Sequence, residues 1–158
     1  MRTYVSKLYD MEWQLTLLYR LMFMLRKRRL GGPMSALVRH IIRVYCSCDI
    51  HPACRIGRRC KMPHPIGIVI GSGVSIGDDV TIWHGVTLGN AGAESENQGY
   101  PCIDAGAKIY TGATIVGPVR IGKRSVVGAH AFVCSDVPDD SVAVGIPARI
   151  ATKSKDVR

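Results

Sequence analysis

Aliphatic side chains recur at every sixth position through most of this 158-residue chain. A spacing of six residues arises neither from the 3.6-residue period of an α-helix nor from the alternation of a β-strand. It is the signature of a parallel β-helix, in which each unit supplies a short strand and a turn and three units close one triangular coil. The repeat predicts thirteen strands in a little over four coils, centred on Ile50, Ile56, Met62, Ile70, Ile76, Ile82, Leu88, Ile103, Ile109, Ile115, Ile121, Val127 and Val133.

A helical pattern precedes the repeat. Apolar residues recur every three or four positions from Leu8 to Leu25, which predicts an amphipathic helix over 3–30. The run Gly31-Gly32-Pro33 separates it from a second predicted helix over 33–45. We therefore divide the chain into a helical N-terminal segment (1–45), a β-helix domain (46–151) and a basic C-terminal tail (152–158).

Positive charge is concentrated in the N-terminal segment. Nine Lys/Arg against Asp10 and Glu12 give residues 1–45 a charge of +7, out of a net +9 for the chain. An apolar helix face followed by Arg26-Lys27-Arg28-Arg29 predicts peripheral contact with an anionic membrane, and packing on protein is the alternative. The apolar stretch is shorter than the roughly 20 residues needed to span a bilayer.

The composition also bears on location and cysteine chemistry. No secretory signal is visible, so we expect a cytoplasmic protein, in solution or on the inner face of the membrane. The six cysteines are then expected to be reduced thiols. No nucleic-acid partner is expected.

The six-residue register breaks twice, and breaks in a regular solenoid are where function is expected. Two extra residues enter after Met62, around His64, and a polar, glycine-rich loop occupies 89–102. His64 and His84 each follow equivalent strands by two residues, so we expect them to stack at one corner. Asp49 should lie near that corner on the coil below. A carboxylate and two imidazoles close together predict a catalytic site.

Several motifs resemble serine acetyltransferases of the hexapeptide acyltransferase superfamily. They are Asp49-Ile50-His51-Pro52-Ala53, His64, Gly67-Ile68-Val69-Ile70, Val86-Thr87-Leu88-Gly89 and Gly145-Ile146-Pro147-Ala148-Arg149-Ile150. The resemblance covers 46–151 and implies an all-β fold after the helices: a left-handed parallel β-helix, assembled as a trimer. It also implies acetyl-CoA as donor, with Asp49 paired to a general base, His64.

This sequence departs from the serine acetyltransferase pattern at the acceptor side. Pro63 stands where the family has an acidic residue, and Gly99 and Tyr100 fall on the places of an Arg-His pair that holds the amino acid. The string from Ile82 to Asn90 is instead similar to colanic-acid and capsular polysaccharide acetyltransferases, whose acceptor is a sugar hydroxyl. We therefore expect a sugar of a surface polysaccharide or its precursor as acceptor, with serine as the alternative.

Further residues are expected to contribute to the site. His84, placed at the same corner by the repeat register, joins Asp49 and His64 in the catalytic set, and Trp83 and Tyr100 are expected to line the acceptor site. The family resemblance implies that the pantetheine arm of acetyl-CoA lies in a groove between subunits. The matching positions are Gly89, Asn90, Thr111, Gly112 and Ala129, with Lys123, Arg124 and Arg149 as candidates for the CoA phosphates.

Two other classes of protein compete with this interpretation. Trimeric β-helices include zinc-dependent γ-type carbonic anhydrases, for which His64, His84 and His130 would be the candidate ligands. No His-x4-His pair is present in the sequence, so we expect no metal. A non-catalytic scaffold is the second alternative, and the two register breaks argue against it.

Overall fold

The computed structural model describes residues 10–26, 31–92 and 99–152. Two helices come first, α1 (Met11–Arg26) and α2 (Gly31–Cys46), and they pack against each other. Asp10 caps α1, because its Oδ1 accepts a hydrogen bond from the Glu12 amide (3.0 Å). Among the described residues no helix is long and apolar enough to cross a membrane. Two helices were predicted and two are present: α1 lies within the predicted 3–30, of which 3–9 and 27–30 lie outside the described residues, and α2 begins at Gly31 rather than at Pro33.

The rest of the described chain forms short strands. They are β1 (Asp49–Ile50), β2 (Arg55–Ile56), β3 (Val69–Ile70), β4 (Ser75–Ile76), β5 (Thr81–Ile82), β6 (Thr87–Gly89), β7 (Cys102–Ile103), β8 (Lys108–Ile109), β9 (Thr114–Val116), β10 (Arg120–Ile121), β11 (Val126–Val127), β12 (Phe132–Val133), β13 (Ser141–Val144) and β14 (Arg149–Thr152). Twelve of the thirteen predicted positions lie in strands β1–β12. The thirteenth, Met62, follows an isolated parallel bridge between Lys61 and Thr81.

Three sheets form the faces of the coil, and their strands are parallel except for β14. Sheet A contains β1, β3, β6, β9 and β12, sheet B contains β2, β4, β7 and β10, and sheet C contains β5, β8, β11, β13 and β14. The chain visits A, B and C in turn, so each coil stacks on the one before. The turns between the sheets form three edges along the molecule, which we name the AB, BC and CA corners.

The repeated aliphatic residues fill the interior. Ile50, Ile70, Leu88, Ile115 and Val133 stand one above another in sheet A, and each is almost completely buried. Burying such a side chain contributes roughly 1.5–3 kcal/mol, so this column provides much of the stability of the coil. Helix α1 covers the first coil, where Leu15, Tyr19 and Met22 join the same core.

The end of the β-helix differs from the sequence prediction. Strands β13 and β14 pair antiparallel, with Val144 beside Arg149 and Ser141 beside Thr152. The turn between them contains Gly145, whose φ of +99° suits glycine. No hexapeptide spacing marks this hairpin, because an antiparallel pair does not follow the period of the coil.

Candidate functional site

Five of the predicted site residues, His64, His84, Thr111, Gly112 and Ala129, lie along the CA corner, where the chain turns from sheet C to sheet A. Backbone hydrogen bonds fix the register there: Gly85 N donates to Ile66 O (2.8 Å), Gly112 N to His84 O (3.0 Å) and His130 N to Thr111 O (2.9 Å). Two columns follow from that register. One is Ile66, His84, Thr111 and Ala129, and the other is Gly67, Gly85, Gly112 and His130.

His64 lies in the insertion at the start of this corner. Its φ of +50° belongs to the left-handed region, and its side chain is exposed. The next residue, Pro65, is buried, and its carbonyl accepts a hydrogen bond from Cys48 Sγ (3.0 Å). The turn that carries the imidazole is therefore anchored to the preceding coil while the imidazole faces outward.

A cavity of about 350 Å³ lies beside His64. It is lined by Asp10, Met11 and Glu12 from the start of α1 and by Pro63, His64 and Pro65 from the insertion. Glu12 Oε1 accepts a hydrogen bond from the Met62 amide (3.0 Å), which ties the helix to the corner. The sequence analysis did not identify Asp10 and Glu12 as site residues. Their two carboxylates lie in the same cavity as Pro63, which stands at the position of the acidic residue in the serine acetyltransferase pattern.

Asp49 lies on sheet A, level with Val69 and past the corner. Its carboxylate accepts hydrogen bonds from Arg39 Nε (2.8 Å) and from an Arg43 terminal nitrogen (2.7 Å), both on α2. These bonds, with that from Arg43 the stronger, hold the pKa of Asp49 below its ordinary value. No hydrogen bond joins Asp49 to His64 within the described residues, so the Asp–His pair stays a prediction.

The expected stacking of His64 under His84 is wrong. Ile66 stands directly below His84, because the two extra residues enter between Met62 and Ile66 and displace His64 from the column. Both histidines still belong to the CA corner, and both are exposed. The Gly85 amide, a reasonable oxyanion donor by its position, is already bonded to Ile66 O.

Trp83 and Tyr100 lie at different corners. Trp83 precedes His84 and stacks on Tyr110, with ring centroids 4.4 Å apart and planes 4° from parallel. Tyr100 lies at the AB corner, where its ring covers Gly71 and Gly73 and its hydroxyl bonds Ser72 Oγ (2.9 Å). Tyr100 therefore anchors the end of the inserted loop. Residues 93–98 of that loop lie outside the described residues.

The predicted cofactor positions separate into two groups. Thr111, Gly112 and Ala129 occupy the CA corner, whereas Gly89 and Asn90 follow the far end of sheet A. A Cβ on Gly89 would meet nothing within 4 Å, so its surface is open. A Cβ on Gly112 would collide with the ring of His130, so glycine at 112 makes room for that imidazole.

The three candidate phosphate-binding cations lie at opposite ends of sheet C. Lys123 and Arg124 belong to the BC corner, at the opposite end of sheet C from Ala129. Arg124 forms an ion pair with Asp140, and the Lys123 amide donates to Asp139 Oδ1 (2.9 Å). Arg149 is exposed in β14 and pairs with Val144, at the end of sheet C that leads into the CA corner. Within one subunit Lys123 and Arg124 therefore do not converge with Thr111 and Gly112.

Two cysteines below the surface are poorly suited to act as nucleophiles. Burial raises the pKa of the buried Cys54 thiol and of the half-buried Cys60 thiol to about 12, which disfavours their thiolates at neutral pH. Across the described parts of the chain, no group of three His, Cys, Asp or Glu side chains is arranged to hold a metal ion.

The chain is similar to known proteins over most of its own length. No family model matches. It is 39% identical over 121 residues to the serine acetyltransferase of Bacillus subtilis (strain 168), which covers 77% of this chain and 55% of the relative. It is 41% identical over 113 residues to that of Mycobacterium tuberculosis (strain ATCC 25618 / H37Rv), covering 72% and 49%. The chain thus spans about half the length of these curated relatives.

Solved structures of serine acetyltransferases have the same architecture. One from Brucella abortus in complex with coenzyme A superposes with a TM-score of 0.84 at 31% identity, over 90% of this chain and 57% of that one. Another in complex with cysteine superposes with a TM-score of 0.86 at 34% identity, over 95% and 58%. The predicted left-handed parallel β-helix is confirmed. The relatives named here are serine acetyltransferases, not polysaccharide acetyltransferases.

Proposed function

We propose that this chain, whose β-helix is related in sequence and fold to that of the serine acetyltransferases, is an acetyl-CoA-dependent O-acetyltransferase. One observation carries the proposal: His64 is presented in a strained turn beside a cavity, on a β-helix that superposes on a coenzyme A complex. A residue held at positive φ outside glycine costs free energy and is common at functional sites.

His64 acts as the general base in the proposed reaction. The acceptor hydroxyl attacks the thioester carbonyl carbon while the imidazole takes its proton. The tetrahedral intermediate collapses by breaking the carbon–sulfur bond, and the imidazolium returns the proton to the leaving thiolate. The products are an acetyl ester and CoA with a free thiol. An imidazole suits this role because its ordinary pKa lies near neutrality.

Serine is the acceptor that we propose first. The curated relatives carry its name, and the cavity beside His64 offers the carboxylates of Asp10 and Glu12. One oxygen of each carboxylate accepts a hydrogen bond from a backbone amide, and among the described residues the second oxygen of each has no hydrogen-bond partner and can accept one from a ligand. A carboxylate pair attracts an ammonium group, which serine has and a neutral sugar lacks.

A sugar hydroxyl is the second candidate acceptor. Gly99 and Tyr100 replace the Arg-His pair that the family resemblance implies for an amino-acid carboxylate, and the Tyr100 hydroxyl is bonded to Ser72. The stacked rings of Trp83 and Tyr110 offer an aromatic surface next to His84, of a kind on which a sugar ring can pack. The stack is the structural feature that favours a polysaccharide or its precursor.

An acceptor screen tests the function and separates the two candidates. Purified protein is incubated with acetyl-CoA and L-serine, D-serine, neutral hexoses or amino hexoses, and free CoA is measured by thiol titration. We expect saturable CoA release with L-serine and loss of it in Asp10→Asn. CoA release with a neutral hexose that is unchanged in Asp10→Asn would show that the acceptor is a sugar. No acceptor-dependent release with any compound would contradict the acetyltransferase proposal.

A trimer is proposed as the active assembly. His64 and the anchored end of the inserted loop lie at opposite ends of sheet A, separated by about six residues, or roughly 20 Å of strand. Tyr100 is fixed on Ser72 at the AB corner, so a neighbouring subunit that packs its AB corner against this CA corner would bring its own Tyr100 towards His64. Sedimentation equilibrium at micromolar concentration checks this, and a monomer that retains full activity would contradict it.

Peripheral membrane contact is proposed for the helices. Trp13, Leu17, Leu21 and Met24 form an exposed apolar stripe on α1, opposite its buried face, and Arg26 ends the helix. A helix that is apolar on both faces gains from a second covering surface. We expect co-sedimentation with anionic vesicles at low salt and its loss in Leu17→Glu. Binding that is unchanged in Leu17→Glu, or absent in the wild type, would contradict this contact.

A further inference from the structure

One position of the CA corner departs from the rest of its column. Gly67, Gly85, Gly112 and His130 are equivalent on four successive coils, with φ of +69°, +69°, +67° and +56°. Glycine adopts this conformation without steric cost, and other residues do not. Three coils of the same molecule therefore show what the backbone favours at this position. The fourth coil places an imidazole there.

The non-glycine residues at positive φ on the BC corner are held by side-chain ion pairs. At the BC corner, Arg59 pairs with Asp79 and Arg124 pairs with Asp140, each with its partner on the neighbouring coil. In the described part of the chain, the side chains of His64 and His130 form no hydrogen bond or ion pair. Two unpaired imidazoles in strained turns therefore lie on the same corner, and one of them is the candidate base.

The surroundings of His130 point to a ligand that extends along the corner. Its ring lies on Gly112, in the space that a Cβ at 112 would need, and it is exposed to solvent. Three coil steps of about 4.8 Å separate the level of Gly67 from that of His130, or roughly 14 Å. An extended ligand with a reactive group at His64 would pass Thr111 and reach His130 with its distant part.

We infer that His130 is a donor-binding residue, whose imidazole N–H contacts the part of the acyl-CoA pantetheine arm that is remote from the thioester. This rests on the proposed function, because it takes an acyl-CoA as the donor. The inference adds His130 to the donor site, a residue that the sequence analysis named only as a candidate metal ligand. The imidazole supplies a hydrogen bond that glycine, the residue of the other three coils, does not supply.

The test compares two thioesters in the variant His130→Gly. Acetyl-CoA carries the whole arm, whereas S-acetyl-N-acetylcysteamine ends after the first amide next to the thioester. We expect the variant to raise the KM for acetyl-CoA and the Kd for CoA by roughly tenfold, as for one lost hydrogen bond to a polar ligand. Its kcat/KM for the short thioester should stay within about twofold of wild type, and its Tm should be equal or higher, since glycine relieves the strained φ.

Matched variants separate binding from folding. Arg59→Gly also replaces a positive-φ corner residue by glycine, and it should leave the KM for acetyl-CoA unchanged. His130→Asp provides a second variant if His130→Gly folds poorly: Asp tolerates positive φ and its ionised side chain donates no hydrogen bond, so the same rise in KM is expected. Unchanged KM and Kd in a folded, active His130→Gly protein would overturn the inference alone. Equal losses with both thioesters would also overturn it, and a wild type that binds no CoA would overturn the proposed function as well.

Discussion

Asp49 provides a direct test of how the helices are joined to the β-helix. In the structure the Asp49 carboxylate forms ion pairs with Arg39 and Arg43 of α2. The family resemblance instead pairs this carboxylate with His64. The isosteric replacement Asp49→Asn removes the charge and keeps the size. It should therefore weaken the attachment of α2 if the ion pairs are its main role.

The size of the effect follows from the geometry. The two contacts are short, 2.8 and 2.7 Å, but the side chains are partly exposed, 33% for Asp49 and 26% and 49% for Arg39 and Arg43. The pair with Arg39, the less exposed of the two arginines, contributes about 0.2–1 kcal/mol after solvent screening, and the pair with the exposed Arg43 adds to it. For a chain of this length we expect a fall in Tm of about 1–4 °C.

The effect should depend on pH with a definite sign. The pKa of Asp49 is lowered in the folded protein, so its ion pairs stabilise the fold above the unfolded pKa of about 3.9. That stability is lost as the pH falls through the folded pKa. The difference in Tm between wild type and Asp49→Asn should be full at pH 7, should shrink as the pH falls below the unfolded pKa, and should vanish once the pH is below the folded pKa.

Thermal unfolding at fixed protomer concentration measures these differences. Arg43→Gln is the matched control, because it breaks one pair from the helix side without changing the β-helix. We expect it to lower Tm by about half as much as Asp49→Asn, with kcat reduced less than tenfold in both. If Asp49→Asn abolishes turnover at unchanged Tm while Arg43→Gln has no effect, Asp49 acts on His64 and the anchoring argument is wrong.

Three further predictions concern packing and thiol chemistry. Gly112→Ala should lower the free energy of unfolding in urea by about 1–3 kcal/mol, because residue 112 has a φ of +67° and its new Cβ would collide with the His130 ring. An unchanged urea midpoint would refute that contact. Ile109→Ala should cost about 2–5 kcal/mol by the same measurement, because Ile109 is fully buried, and a loss below 1 kcal/mol would contradict its place in the core. A thiol reagent should label exposed Cys102 rapidly in the native protein and Cys54, whose pKa burial raises to about 12, only on unfolding, as peptide mass spectrometry would show.

The regular part of the fold could be predicted because one period governs it. Each aliphatic residue at a sixth position points inward, and neighbouring coils force the same register on every sheet. Met62 falls short of a full strand because the insertion after it displaces the chain. The hairpin of β13 and β14 leaves no six-residue signal, since its strands run antiparallel and pair only with each other beyond Val142 and Ala143.

The site was less predictable because it depends on where separate elements meet. Counting residues placed His64 under His84, but the two inserted residues put Ile66 there instead. Asp10 and Glu12 reach the cavity only because α1 packs on the first coil, and sequence spacing contains no information about that contact. The sequence signal that could have suggested them is the pair Asp10 and Glu12, because acidic residues two positions apart are typical of a helix start.

The central claim is that His64 is the general base of an acetyl transfer, and its most direct test is the turnover of His64→Ala. Steady-state CoA release is measured with the best acceptor from the screen, beside the binding of CoA to the same preparation. We predict a fall in kcat of about 10²–10⁴ with CoA affinity nearly unchanged, because a general base acts in the transition state. His84→Ala is the control and should keep turnover while raising the KM for the acceptor. Retained turnover in His64→Ala, with its loss in His84→Ala, would contradict the account and make His84 the base.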